Sequence, residues 1–181
     1  VVSTTVLAKY MGLEPIIVRK DFELTGVKGQ PGIGYKTHEL IEAIRSYLGW
    51  DACKKACLVG AGSLGSALLG YQEFSEYGML FTDVFDADPE KIDTRIHGHL
   101  VRDVRQMTPR LRQARPDIGI ICVPAIHAQA VVDDMIACGV RAFWNFSNLC
   151  LQVPPNVVVQ REVIAGGLAL LSMKLKTHDI I

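Results

Sequence analysis

The hexapeptide Gly60-Ala61-Gly62-Ser63-Leu64-Gly65 narrows the fold more than any other feature of this 181-residue chain. It follows directly on the apolar run Cys57-Leu58-Val59 and opens a stretch with helical spacing. Glycine at the first position permits the tight turn from strand to helix. At the second it lets main chain come against a pyrophosphate, and at the third it lets the helix pack close to the strand. The helix that follows offers unpaired N–H groups and the positive end of its dipole to phosphate. A glycine triplet alone also fits a tight turn in a ligand-free α/β domain. Here a second apolar run ends in Asp86, 21 residues after Gly65. At that distance a carboxylate holds the ribose hydroxyls of NAD and disfavours a 2′-phosphate.

From residue 56 onward strands and helices alternate. Strands are expected over 56–59, 79–85, 118–123 and 142–146, and helices over 64–71, near 107–114 and over 125–138. This order implies a doubly wound parallel sheet covered on both faces. The continuous apolar run Ile118-Gly119-Ile120-Ile121-Cys122-Val123 fits such burial. A short strand over 157–159 and a final helix over 163–176 follow Pro154 and Pro155. The helix is apolar on more than one face, so it is expected to pack into a partner. Upstream, Ser3 can cap a helix reaching about Met11, Gly12 breaks it, and Pro15 opens a second helix through about Phe22. That is a helix-turn-helix pattern. Gly26, Gly29, Gly32 and Gly34, with Pro31, suit a hairpin or wing ending at Tyr35. Thr37 is expected to cap a linking helix that turns Leu40, Ile41, Ile44 and Leu48 inward and stops at Gly49. The expected organisation is an incomplete winged helix-turn-helix over 1–50, a Rossmann-like α/β domain over 51–160 and a C-terminal helix over 161–181.

Charge adds little, because 19 basic side chains balance 19 acidic ones. Any contact with nucleic acid must then come from a local patch. No apolar run is long enough to span a membrane and no signal peptide is evident, so a cytoplasmic protein is expected. Cys53, Cys57, Cys122, Cys138 and Cys150 are odd in number and scattered, which suits reduced thiols; a redox pair of Cys53 and Cys57 is the alternative. No metal set is indicated. Of His38, His97, His99, His127 and His178, only His127 lies near the expected crevice, and no acid is placed to orient it. A cofactor site with no chemistry beside it suggests a sensor rather than an enzyme. Near the crevice, Lys91 can approach the adenosine end or stay a solvated lysine. Val123 and Pro124 end a strand at the cofactor edge, though Pro124 also suits a first helical position. Asn145 and Phe146 can face a nicotinamide or close the sheet edge.

Several stretches together resemble the Rex redox-sensing transcriptional repressors over nearly the whole chain. They are Val18-Arg19-Lys20-Asp21, Gly32-Ile33-Gly34-Tyr35, the glycine hexapeptide and Phe85-Asp86-Ala87-Asp88-Pro89-Glu90-Lys91-Ile92. Asp117-Ile118-Gly119-Ile120 with Val123-Pro124, Asn145-Phe146 and Val153-Pro154 complete the set. The resemblance implies a homodimer that joins a winged-helix domain to a Rossmann domain and exchanges its C-terminal helix. It implies binding to operator DNA when NADH is scarce and release by NADH. By position, Arg19 and Lys20 would lie on the recognition helix and Lys28 on the wing, where without the family they read as solvated charge. Gly60, Gly62 and Gly65 would hold the pyrophosphate of NAD(H) and Asp86 the adenine ribose.

The chain departs from that family at Phe22-Glu23-Leu24-Thr25-Gly26, where Glu23 brings a negative charge near phosphate, and at Gln30-Pro31, where the wing usually carries a cation. Ser147-Asn148 stands after Asn-Phe, and Val163 replaces the acid expected at the start of the last helix. The first helix of the winged domain has no counterpart in the sequence. Two other readings fit the glycine turn. One is a CoA-binding domain of the succinyl-CoA-ligase type, which needs a phosphorylatable histidine; His97-Gly98-His99 comes closest. The other is an NAD(H)-binding regulator that signals through a protein partner.

Overall fold

The computed structural model describes residues 1–178, with side chains through Lys176; residues 179–181 of the expected C-terminal span lie outside the described residues. The chain forms two compact units, one of residues 1–53 with 73–79 and the other of 54–72 with 80–181.

The first unit is built on three short helices. In α1 (Thr4–Met11) the Ser3 hydroxyl accepts the Val6 N–H at 3.2 Å, which satisfies one of the donors a helix start leaves open. Proline opens α2 (Pro15–Leu24), where its missing N–H costs nothing. The glycine-rich stretch that follows is not a laddered hairpin. Gln30 and Gly34 exchange both main-chain bonds, at 2.8 and 2.9 Å, and Tyr35 exchanges two of 2.8 Å with Val2. Three residues separate the paired positions and one is Pro31, without an N–H, so the ladder cannot extend inward. The Tyr35 ring packs edge-on against Phe22 of α2 at 5.2 Å, which ties this tight loop to the helix.

In α3 (Thr37–Tyr47) the N-cap is Lys36, not Thr37, and no side chain caps the helix. Lys36 instead pairs with Glu39 at 2.7 Å. Of the four residues expected inward, Leu40 is buried and Ile44 half-buried, but Ile41 and Leu48 are exposed. The unit's interior, built on Ala8, Val18 and Leu40, is too small to cover a wider stripe of the helix.

The second unit is a seven-stranded sheet of β1 (Lys54–Val59), β2 (Met79–Asp86), β3 (Arg95–Ile96), β4 (His99–Asp103), β5 (Ile118–Ile121), β6 (Ala142–Asn145) and β7 (Val158–Arg161). Their order across the sheet is β3-β4-β2-β1-β5-β6-β7. Parallel pairing joins β1 to β5, β5 to β6, β6 to β7 and β2 to β4. The expected sheet is therefore present, with one addition: an antiparallel hairpin of β3 and β4 at its edge. That hairpin turns at His97-Gly98, both at positive φ, and its two-residue first strand is too short to leave a periodic signal.

The helices of this unit are α4 (Ser63–Leu69), α5 (Met107–Ala114), α6 (Ala125–Ala137) and α7 (Ile164–His178). Strand residues Val59, Phe85, Ile121 and Phe143 meet Met107 and Leu111 of α5 and Val132 and Met135 of α6 in one core. The α5–α6 layer therefore rests on the sheet beside the point where the strand order reverses, between β1 and β5. In open α/β sheets that point leaves a crevice at the carboxyl ends of the strands. By contrast, α7 keeps its apolar side chains exposed, with Leu168 at 66% and Leu171 at 55%.

Candidate functional site

The turn from β1 into α4 is held by main-chain bonds on both sides. Gly60 N–H donates to the Phe85 carbonyl at 2.8 Å, and Cys122 N–H donates to the Val59 carbonyl at 2.9 Å. Gly60 adopts φ 98°, and a Cβ there would stand 2.6 Å from the Cys122 carbonyl oxygen. At Gly65 a Cβ would stand 2.1 Å from the Gly60 oxygen, so only glycine lets α4 pack this close to the turn. Gly62 differs from both. A Cβ there would meet nothing within 4 Å, and the residue lines an open cavity. Two glycines thus build the turn, and the third keeps the main chain bare toward empty space.

Asp86 fixes the same turn from the tip of β2. One carboxylate oxygen accepts the Ala61 N–H at 2.7 Å, and the other accepts the Asp88 N–H at 2.9 Å. The residue is nearly buried, at 8% exposure, yet it lines the cavity. Lys91 bridges Asp86 at 3.5 Å and Asp88 at 3.2 Å. Partial burial works against the lysine charge. Hydrogen bonds and the charges of Asp88 and Asp86 outweigh it and hold the Lys91 pKa above its ordinary value. The Glu90 N–H and then Lys91 hold the Asp88 carboxyl below the usual carboxylate range. At the tip of β4, Arg105 Nε donates to Asp103 at 2.7 Å, and its Nη2 pairs with the same oxygen. The Arg105 side chain and then its N–H lower the Asp103 pKa.

The cavity measures about 790 Å³. It brings together six of the residues expected from sequence: Gly60, Gly62, Asp86, Lys91, Val123 and Pro124. Ala61, Ser63, Leu64 and Gly65 belong to the turn itself and do not line it. Asn145 is not turned toward the cavity either. Fully buried, it spends its amide on its own loop: Nδ2 donates to the Leu149 carbonyl at 2.9 Å, and Oδ1 accepts the Ser147 N–H at 2.9 Å and hydroxyl at 2.7 Å. An amide at a strand end satisfies nearby main chain more cheaply than it can await a ligand, and closing the sheet edge is its role here. Phe146 packs on Trp144, with ring centroids 4.9 Å apart.

Sequence reasoning did not find Arg105, Thr108 and Asp134, and it set His127 aside; all four line the cavity. His127, Ala130, Val131 and Asp134 share one face of α6, a spacing readable once the helix is known to border the crevice. Cys122 also lines it, with burial pushing its thiol up to about 12. Cys57 lies wholly in the core and burial pushes it likewise to about 12, which removes it from the Cys53–Cys57 redox pair. His97 sits in the β3–β4 turn and His99 opens β4, edge-on to Phe81 at 5.7 Å, and neither lines the cavity.

In the first unit, Arg19 and Lys20 are exposed on α2 and Lys28 is exposed on the loop beyond it. Arg19 and the loop from Gly29 to Tyr35 border a shallow groove of about 500 Å³. Glu23, one turn from Arg19, is exposed as well. Among the described residues no His, Cys, Asp and Glu cluster suits a metal ion, and no helix is long and apolar enough to cross a membrane.

A family model described as CoA binding domain matches residues 51–149. The redox-sensing transcriptional repressor Rex of Treponema denticola is 42% identical over 176 residues, which is 97% of this chain and 84% of that protein. The Rex protein of Clostridium beijerinckii is 38% identical over 178 residues, 98% of this chain and 84% of that one. Among solved structures, RSP in complex with β-NAD⁺ and operator DNA is 30% identical, with a TM-score of 0.90 over 99% of this chain and 82% of that one. RSP in complex with β-NADH is 29% identical, with a TM-score of 0.87 over 99% of this chain and 84% of that one. RSP is itself described as a Rex-family repressor.

Proposed function

The chain belongs to the Rex family of redox-sensing transcriptional repressors, its residues 51–149 forming a domain of the CoA-binding family, and from that premise we propose that NAD(H) fills the 790 Å³ cavity and controls operator binding by the N-terminal unit. The protein is an NADH-sensing repressor and not an enzyme. One observation carries the assignment of the site: Gly62 leaves bare main chain facing the cavity, while Gly60 and Gly65 are sterically obliged to be glycine. A pyrophosphate fits against such a turn, because nothing but main chain separates it from the N–H groups at the start of α4. Asp86 holds the adjoining ribose with the lone pairs its two main-chain contacts leave free, and Lys91 balances its charge. Val123 and Pro124 supply apolar surface at the switch point. The family's CoA reading uses the same turn, but RSP was solved with β-NAD⁺, β-NADH and operator DNA, which favours the nicotinamide dinucleotide.

The first unit is the DNA-binding part. Arg19 and Lys20 on α2 meet the operator, with Lys28 on the loop reaching toward the adjacent groove. Two chains pair through their α7 helices, whose exposed leucines need cover. A dimer reads a palindrome only when its recognition helices stand about one DNA turn, about 34 Å, apart. NADH binds one dimer shape more tightly than the other and so shifts the population away from that spacing. A repressor of this kind works in the cytoplasm. The test is an operator-binding titration at fixed salt with NADH and NAD⁺. NADH is expected to weaken operator affinity by at least about fivefold, the low end of usual allosteric coupling. Equal affinity with and without either nucleotide would contradict the proposal.

A further inference from the structure

The chain leaves the nucleotide-binding unit and returns to it within one connection. Residues 73–79, which in sequence join α4 to β2, belong to the first unit, whereas α4 and all of β2 after Met79 belong to the second. Both flanking elements lead to the glycine turn. α4 starts from it. β2 ends in Phe85 and Asp86, whose carbonyl and carboxylate accept the Gly60 and Ala61 N–H groups at 2.8 and 2.7 Å. A displacement of the turn is therefore carried by regular secondary structure to either end of this one segment.

The segment is fastened to the end of the linking helix. Arg45, in the last turn of α3, donates from Nη2 to the Glu76 carbonyl at 3.0 Å. The Trp50 and Tyr77 rings lie 4.6 Å apart and tilted by 34°. Gly78, at φ 74°, comes so near the main chain that a Cβ would stand 2.7 Å from the Ala52 oxygen and 3.1 Å from the Trp50 oxygen. The segment is also folded on itself. The Glu76 and Tyr77 N–H groups both donate to the Glu73 carbonyl, at 3.0 and 3.2 Å, and the Gly78 N–H to the Ser75 carbonyl at 3.2 Å. On the other side, the Trp50 N–H donates to the Arg45 carbonyl at 2.8 Å, so the two side chains that hold the segment come from one closed turn. A connection that only had to join α4 to β2 would need no guanidinium, stacked rings and bare main chain to bind it to the end of α3.

Neither Arg45 nor Trp50 lines the nucleotide cavity. Given the sensor reading above, on which this step rests, we infer that residues 73–79 are the link through which the nucleotide site acts on the DNA-binding unit, with Arg45 and Trp50 as the positioning residues that keep the link stiff. When the nucleotide favours one placement of the turn, the segment moves with α4 and β2, and the end of α3 follows because it is fastened to the segment. Loosening the fastening leaves each unit its own ligand and removes the response of one to the other.

A binding cycle on the full chain tests this: operator titrations at fixed salt with and without NADH, and calorimetric NADH titrations with and without operator. In the wild-type chain NADH is expected to weaken operator binding by at least about fivefold, and operator to weaken NADH binding by the same factor. Arg45→Met keeps the aliphatic stem and removes the donor, and Trp50→Leu removes the ring stack. Each is expected to hold its affinity for operator alone and for NADH alone within about twofold of wild type, while the effect of either ligand on the other falls below about twofold. Arg45→Lys, which still donates, is expected to recover part of the coupling. A merely structural role would lower the melting temperature or the operator affinity and leave the coupling factor unchanged. A wild-type coupling factor in Arg45→Met would overturn the inference, whether or not Trp50→Leu folds, while leaving the sensor reading intact. A wild-type chain whose operator affinity ignores NADH would overturn the sensor reading and this inference with it.

Discussion

The Asp86 carboxylate accepts the Ala61 N–H at 2.7 Å, so the tip of β2 braces the glycine turn at the end of β1 from within the sheet. The acid therefore does more than wait for a ribose. It shapes the surface on which the phosphates would rest before any nucleotide arrives, and a turn set in advance loses less conformational entropy on binding. The second oxygen performs the same service for the loop after β2, through the Asp88 N–H at 2.9 Å.

Asp86→Ala should consequently fail in two ways at once. It leaves two N–H groups without their acceptor, and an unsatisfied buried donor costs about 1–3 kcal/mol. Thermal melting is expected to show destabilisation even without ligand, and NADH affinity should drop by at least about tenfold. Unchanged melting with lost binding would mean that the carboxylate serves only the ribose.

The three glycines should separate by role. Gly65→Ala drives a methyl group to 2.1 Å from the Gly60 oxygen and forces α4 off the turn, at a cost of about 1–3 kcal/mol or more. Gly62→Ala meets open space, so its stability is expected to stay within about 0.5 kcal/mol of wild type. Its methyl group nevertheless stands where the pyrophosphate would lie, and NADH affinity should fall by at least about tenfold. Melting curves paired with NADH titrations decide this. Tight NADH binding by Gly62→Ala would place the phosphates elsewhere.

Local signals made much of this legible in the sequence. The glycine spacing and Asp86 predicted the turn and its acid because each is set by contacts within one β-α-β unit. Ser3 and Pro15 announced their helix starts for the same reason. What stayed hidden depends on contacts distant in sequence. Asn145 ends a strand, as expected, but only the fold shows its amide consumed by Ser147 and Leu149. Thr108 and Asp134 line one cavity because α5 and α6 pack side by side, which no spacing within either helix reveals. Ile41 and Leu48 followed a sound helical period, yet the first unit has too little interior to cover them.

Substitutions on α2 should act on DNA and leave the nucleotide alone. Arg19→Gln and Lys20→Gln each remove one cation from an exposed helix face. For every phosphate that is no longer neutralised, the slope of log affinity against log salt should fall by about 0.9, with NADH affinity unchanged. Glu23→Gln removes the opposing charge and is expected to tighten operator binding. Electrophoretic or anisotropy titrations over a salt series measure all three. A salt slope identical to wild type in both basic variants would exclude α2 as the helix that meets DNA.

The α7 helix makes a separate prediction about assembly. Leu168 and Leu171 lie one turn apart and are both largely exposed. Apolar surface of this kind is seldom left open to water, and covering it with a second copy is the economical solution. Leu168→Glu together with Leu171→Glu should weaken the dimer by at least about tenfold without unfolding the monomer, because neither side chain supports the core. Sedimentation velocity across a concentration series distinguishes the outcomes, and an unaltered dimer would move the interface away from α7.

The buried thiols set the response to alkali. Burial pushes Cys57 and Cys122 from 9.0 to about 12, so in the folded chain both stay protonated well above the pH at which they ionise when unfolded. Below pH 9 neither state has released the proton and the contribution to stability is complete. Between pH 9 and about 12 the unfolded chain binds fewer protons than the folded one, so stability falls as pH rises. The slope approaches about 1.4 kcal/mol per pH unit for each thiol. Lysines and tyrosines titrate in the same window, and for that reason the informative quantity is a difference. Urea unfolding from pH 8.5 to 10.5 should show a shallower decline for Cys57→Ala and for Cys122→Ala than for the wild-type chain. At neutral pH the exposed Cys53 and Cys150 should alkylate well before either buried thiol. Parallel pH slopes in all three proteins, or early labelling of Cys57, would show that the core around β1 opens to solvent far more readily than its packing implies.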